Sequence, residues 1–116
     1  MSYTFNNEKP IYLQVVEIIT NEIIKGNIAP GEKIPSVREY SLIMKVNPNT
    51  ICKSLDILEN NKLIITERTN GKFVTKDENI LNKYKKDLIT EKINNFLSDM
   101  EKLGFSKEDI INSIKE

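Results

Sequence analysis

The chain has 116 residues, no histidine, a single cysteine (Cys52) and equal numbers of acidic and basic side chains, so its formal net charge is zero. That length fits one small domain, or one domain with an appendage too small for a core of its own. The composition excludes disulfide frameworks, Cys/His zinc sites, histidine-based triads and imidazole acid–base chemistry, and no apolar run approaches the roughly 20 residues of a membrane-spanning helix.

Met1 to Asn7 carries neither the basic start nor the apolar stretch of a signal peptide, which places the expected location in the cytoplasm. A helix is predicted over about Pro10 to Lys25, with Tyr12, Val15, Val16, Ile19 and Ile23 at the spacings of one buried stripe. Pro10 suits its first turn, where a missing N–H costs nothing, and Gly26 suits a left-handed stop. Ala29-Pro30-Gly31 then makes a turn, proline fixing φ and glycine supplying the freedom to reverse direction.

Ser36-Val37-Arg38-Glu39 matches a capping box, predicting a helix to about Met44 that buries Val37, Tyr40 and Ile43 or close neighbours. Asn47-Pro48-Asn49-Thr50 is a second start, with Asn47 as cap and Pro48 in the first turn; Ile51, Leu55 and Leu58 share one face with Ser54. Only Lys45 and Val46 lie between these helices, the tight link of a helix-turn-helix whose second helix reads a DNA groove. Two β-prone runs, Leu63–Thr66 and Lys72–Thr75, flank Thr69-Asn70-Gly71 and predict a hairpin closed by a type I′ turn, a wing tipped by Arg68, Thr69, Asn70 and Lys72.

From about Asp77 onward the pattern is helical. Ile80, Leu81, Tyr84, Leu88, Phe96, Leu97, Met100 and Leu103 form one long stripe that stops at Gly104, and Ser106-Lys107-Glu108-Asp109 caps a last helix presenting Ile110, Ile111 and Ile114 beside Phe105. Two helices of this size cannot bury so much apolar surface alone. They are expected to pack on the preceding domain or on a second subunit, with 1–76 as a winged helix-turn-helix and 77–116 as a two-helix tail. The expected fold class is thus mainly α with a small β-hairpin.

Zero net charge hides an uneven distribution. Lys33, Arg38, Lys45, Lys53, Arg68 and Lys72 gather in the reading segment, whereas Asp77, Glu78, Asp87, Glu91, Asp99, Glu101, Glu108, Asp109 and Glu116 offset the lysines of the tail. A local basic face on a neutral chain still binds phosphate, with less long-range steering.

The segment resembles the DNA-binding domain of the GntR family of bacterial transcriptional regulators, whose pattern runs roughly P-G-x-x-L-P-S-x-R-x-L-A, then V-x-x-x-T-V, then R-G-x-G-x-F-V. The residues carrying the resemblance are Pro30, Gly31, Ile34, Pro35, Ser36, Arg38, Val46, Thr50, Ile51, Leu55, Leu58, Arg68, Gly71, Phe73 and Val74, with Pro10 to Gln14 similar to the family's opening. The short tail, with Leu103-Gly104-Phe105-Ser106 between its helices, resembles the YtrA-type subfamily, in which it serves dimerisation. This similarity implies a homodimeric, sequence-specific regulator of transcription, in the manner of a repressor, acting on an inverted-repeat DNA operator. It also implies a dimer interface from Tyr84, Leu88, Phe96, Leu97, Met100, Leu103, Ile110 and Ile114. Four positions depart from the pattern: Ser41 replaces a usual alanine, Lys45 and Lys62 stand at or near usual glycines, and Thr69 replaces a wing glycine. Ser41 is expected to satisfy its hydroxyl by back-bonding within its helix.

The candidate DNA-contact set is Ser36, Arg38, Asn47, Asn49, Thr50, Lys53, Arg68, Thr69, Asn70, Gly71 and Lys72. A guanidinium makes paired hydrogen bonds to phosphate or guanine, asparagine reads adenine, threonine touches phosphate or a thymine methyl, and lysine reaches phosphate or guanine. The bland readings are an ion-paired arginine at Arg38, simple caps at Ser36 and Asn47, and a bystander thiol at Cys52. A winged helix that docks a protein instead of DNA is the competing function. No motif specifies an enzyme, a metal, a cofactor or a small-molecule effector.

Overall fold

In a computed structural model describing residues 3–116, the element order is α1 (Ile11–Ile24), α2 (Val37–Met44), α3 (Pro48–Asn60), β1 (Ile64–Glu67), β2 (Gly71–Val74), α4 (Glu78–Lys102) and α5 (Lys107–Lys115). The chain divides into two compact units, Met1–Leu81 and Asn82–Glu116, with α4 contributing its start to the first. Among the described residues no helix is long and apolar enough to cross a membrane.

In the first unit α3 is the hub, packing against α1, α2 and β1. Its start follows the local signals: Asn47 caps it by accepting the Asn49 N–H at 2.8 Å, and Pro48 opens the helix. Ile51, Leu55 and Leu58 are buried, and so is Ser54, whose hydroxyl lies 2.8 Å from the Tyr12 carbonyl on α1 and 3.0 Å from the Thr50 carbonyl. A core serine is thus satisfied while tying α3 to α1. The α2 capping box also forms, Ser36 Oγ accepting the Glu39 N–H and Glu39 Oε1 accepting the Ser36 N–H, both at 3.1 Å.

Several expectations need correction. Pro10 is the N-cap of α1 instead of a helical residue, its backbone extended while its carbonyl receives the Leu13 and Gln14 N–H groups. On α1 the fully packed face is Val15, Ile19 and Ile23 together with Gln14, whereas Tyr12 and Val16 are only half-buried. Gln14 clasps the preceding segment: its Nε2 donates to the Asn6 and Lys9 carbonyls at 2.9 and 2.7 Å, and its Oε1 accepts the Asn6 N–H at 3.0 Å. On α2, Met44 takes the buried place expected of Ile43, which is 50% exposed; Tyr40 and Met44 are four residues apart and so share one face. Ser41 does not back-bond within α2. Its hydroxyl donates forward to the Val46 carbonyl at 2.6 Å, closing the turn in which Lys45 adopts a left-handed φ of 57°.

The hairpin forms, but not with a type I′ turn. Ile64 pairs with Val74 and Glu67 with Gly71, the Asn70 N–H bonds to the Glu67 carbonyl at 3.3 Å, and only Gly71 of the Asn-Gly pair takes positive φ, at 103°. A longer loop built on an i→i+3 turn needs one left-handed residue where type I′ needs two. The other edge of β2 is also covered. The Gly31 and Ile34 N–H groups donate to the Val74 and Lys72 carbonyls, and the Val74 N–H donates to the Glu32 carbonyl, each at 2.9 Å, with Lys33 bridging Phe73. The segment leading into α2 therefore serves as a third strip of the wing sheet, delivered by a turn with Pro30 second and Gly31, φ 79°, third.

In the second unit a capping box at Ser106 and Asp109 starts α5. Of the stripe residues, Tyr84, Leu88, Leu97, Met100 and Ile110 are half-buried, while Phe96, Leu103 and Ile114 are exposed, as are Ile89 and Ile93.

Candidate nucleic-acid interface

Asn49 and Lys53 lie one turn apart on α3, with Thr50 beside them, so the start of that helix presents an amide, a hydroxyl and an ammonium on adjoining faces. Asn49 and Lys53 are exposed and Thr50 is half-buried. The Lys53 ammonium sits 3.9 Å from the centre of the Tyr12 ring on α1, a cation–π contact that steadies a long side chain without neutralising it. Tyr12 is thus a member of this surface that helical periodicity assigned to the core. The Asn47 side chain is engaged as a cap.

Arg38 occupies the first turn of α2 and is exposed. The nearest glutamate in sequence, Glu39, is held by Ser36, whose backbone and side-chain hydrogen bonds keep its carboxyl below the usual range. Among the described residues the ion pairs are Lys9 with Glu17 and Lys72 with Glu59. The ion-paired reading of Arg38 therefore fails, and Lys33, Lys45, Lys53 and Arg68 are likewise without a carboxylate partner among these residues.

The wing residues divide. Arg68, Thr69 and Asn70 form the exposed loop, with Asn70 Nδ2 bonded to Glu67 Oε2 at 3.3 Å. Lys72 is half-buried against α3: its ammonium lies 2.9 Å from Glu59 Oε2 and 2.8 Å from Thr66 Oγ1. The Lys72 hydrogen bond, and after it a hydrogen bond of the Thr66 side chain, lower the Glu59 pKa below its ordinary value. A groove of about 350 Å³ brings Ser36, Thr69, Asn70, Gly71 and Lys72 together, joining the N-terminus of α2 to the wing. Lys33 lines it too, its Cε placed 2.9 Å from where a Cβ on Gly71 would stand. Glycine is needed there for its φ of 103°, while the flexible end of Lys33 could move aside for a Cβ. Lys33 belongs to the basic cluster of the sequence, and only long-range pairing puts it on the wing, through its bridge to Phe73.

Cys52 is exposed beside Lys53 and forms no disulfide among the described residues. No group of His, Cys, Asp or Glu among the described residues is arranged to hold a metal ion.

A family model described as bacterial regulatory proteins, gntR family, matches residues 11–74. The chain is 36% identical over 115 residues to the uncharacterized HTH-type transcriptional regulator YhcF of Bacillus subtilis, covering 99% of this chain and 95% of that one. It is 33% identical over 108 residues to the HTH-type transcriptional repressor YtrA of the same organism, covering 92% and 83%. Its fold matches a GntR family transcriptional regulator from Listeria monocytogenes with a TM-score of 0.88 and 40% identity, covering 96% and 97% of the two chains. The structure of AraR(DBD) in complex with operator ORE1 aligns over 65% of this chain and 93% of its own, with a TM-score of 0.57 and 30% identity.

Proposed function

The chain belongs to the gntR family of bacterial regulatory proteins, among its YtrA-like members, and is a regulator and not an enzyme; on that premise we propose that it is a homodimeric repressor of transcription that binds an inverted-repeat DNA operator. In this reading residues 1–76 bind DNA and residues 77–116 pair two copies. Asn49, Thr50 and Lys53 enter the major groove, Arg38 and Ser36 meet the flanking backbone or a guanine edge, and the wing from Arg68 to Lys72 fixes register.

One observation carries the reading: on a chain of zero net charge, Arg38, Lys53 and Arg68 are exposed around a capped helix-turn-helix with no carboxylate to neutralise them. Unpaired cations on such a scaffold are available to displace counterions from phosphate. The likeness to AraR(DBD), whose structure holds operator DNA, supports the same use of the segment. The name of YtrA supports repression.

The test is fluorescence anisotropy on duplexes tiled across the DNA upstream of the gene. One duplex is expected to bind specifically, and Arg38→Ala and Lys53→Ala are each expected to weaken it by about tenfold or more and to reduce the salt slope by about 1. Unchanged specific affinity in both variants would remove the reading.

A further inference from the structure

A second concavity of the first unit, about 460 Å³, opens between the C-terminal half of α1, the strip before α2, and α2 itself. Its volume is that of a small-molecule site. Tyr40 lines it. The residue is 6% exposed, and its hydroxyl is buried without a hydrogen-bond partner among the described residues. Such an orphan is costly in a folded protein unless something supplies the missing bond.

The surroundings specify what would supply it. Glu22, Glu32 and Glu39 line the cavity against one cation, Lys33. Each carboxylate is held by an intrachain hydrogen bond through one oxygen: Glu22 Oε2 accepts from Asn27, Glu32 Oε1 from the Ala29 N–H and Glu39 Oε1 from the Ser36 N–H. Each keeps a second oxygen, and none has an ion pair among the described residues. Burial, then Tyr3, Glu22 and Glu39, push the Tyr40 pKa above its ordinary value, so the phenol stays neutral. Ile18, Ile28 and Ile43 supply an apolar wall.

We propose that this cavity binds a small amine with an apolar body, its ammonium hydrogen-bonded to the Tyr40 hydroxyl and facing the carboxylates of Glu22, Glu32 and Glu39. Because α2 forms one wall and also carries Arg38, occupancy alters operator affinity. That regulatory half rests on the DNA-binding reading above.

Hexylammonium is the probe, with hexanoate and hexanol as its anionic and neutral counterparts, followed by calorimetry and thermal unfolding of the full chain without DNA. Hexylammonium is expected to bind saturably and raise Tm, hexanoate to do neither, and Tyr40→Phe and Glu22→Gln each to weaken binding by about tenfold. Tyr40→Phe alone should leave Tm of the free protein unchanged or higher, since it deletes an unpartnered hydroxyl. Equal effects of the three hexyl compounds, no binding, binding indifferent to both substitutions, or a Tm several degrees lower in free Tyr40→Phe would each overturn the site. With DNA present, saturating hexylammonium is expected to change operator Kd about fivefold or more, and the operator to change amine affinity by the same factor. Binding without that change overturns the regulatory half alone. A chain that binds no operator under any condition overturns the DNA reading, while the calorimetry still decides the site.

Discussion

The first unit and the tail treat their apolar side chains in opposite ways. Every buried apolar residue among those described, from Val15 to Leu81, belongs to the first unit, where α3 packs on both helices and the wing. In the second, Ile89, Ile93, Phe96, Leu103, Phe105, Ile111 and Ile114 are 44 to 74% exposed, and none of the described residues is fully buried. A helix exposing this much hydrophobic surface is incompletely covered in one chain. The contrast separates a part whose core is made locally from a part that wants a partner, and the dimer proposed above is the partner that the family relationship favours.

Three variants test the contrast. The largest effect is expected in the first unit: Ile51, fully buried at the hub, should cost about 2 to 5 kcal/mol as Ile51→Ala, measured by urea unfolding. A loss below about 1 kcal/mol would mean that α3 is not the centre of the core. In the tail, Leu103→Asp combined with Ile114→Asp, at sites 70 and 74% exposed, should leave the first unit's secondary structure and near-ultraviolet signal intact. It should nevertheless convert the protein to a monomer in sedimentation equilibrium and lower operator affinity by about a hundredfold through lost bivalency. A dimer that survives both charges would move the pairing surface elsewhere.

The smallest effect concerns the link between wing and reading helix. The folded-state pKa of Glu59 is lowered by its bonds to Lys72 and Thr66, so its contribution is present above the ordinary value of 4.5 and is lost as pH falls through the lowered one. Glu59→Gln should therefore cost less than about 1 kcal/mol at neutral pH, because the Glu59 side chain is 39% exposed, and the two proteins should converge in acid. A difference that persisted at a pH well below the lowered pKa, where the carboxyl is protonated in the folded state too, would assign the contribution to packing instead of charge.

Legibility followed the range of the forces involved. The Ser36 capping box, the caps at Asn47 and Ser106, the first turn at Pro48 and the left-handed stop at Gly26 depend on residues within three or four positions, and all are present; at Ser106 the cap is completed as a box by Asp109. The turn at Gly71 was half-read, because Asn-Gly signals a hairpin while loop length is settled by the register of the strands. Met44 displaced Ile43 from the core because α2 is short and its orientation is set by what α3 offers it. Ser41 shows the same limit: from its own helix it had a plausible partner, and the folded turn offered Val46 instead.

The sequence by itself therefore determined where α2, α3 and α5 begin, that a tight link joins α2 to α3, that a wing follows, and which family the chain resembles, since each is written in neighbouring residues. Tertiary structure alone decided that Gly31 to Ile34 extends the wing sheet, that Gln14 clasps the N-terminal segment, that Tyr12 steadies Lys53, that Glu59 holds Lys72, and that Tyr40 is left with an unanswered hydroxyl. These contacts join residues far apart along the chain, and which of many possible partners each side chain meets is fixed only when the helices pack and exclude the others.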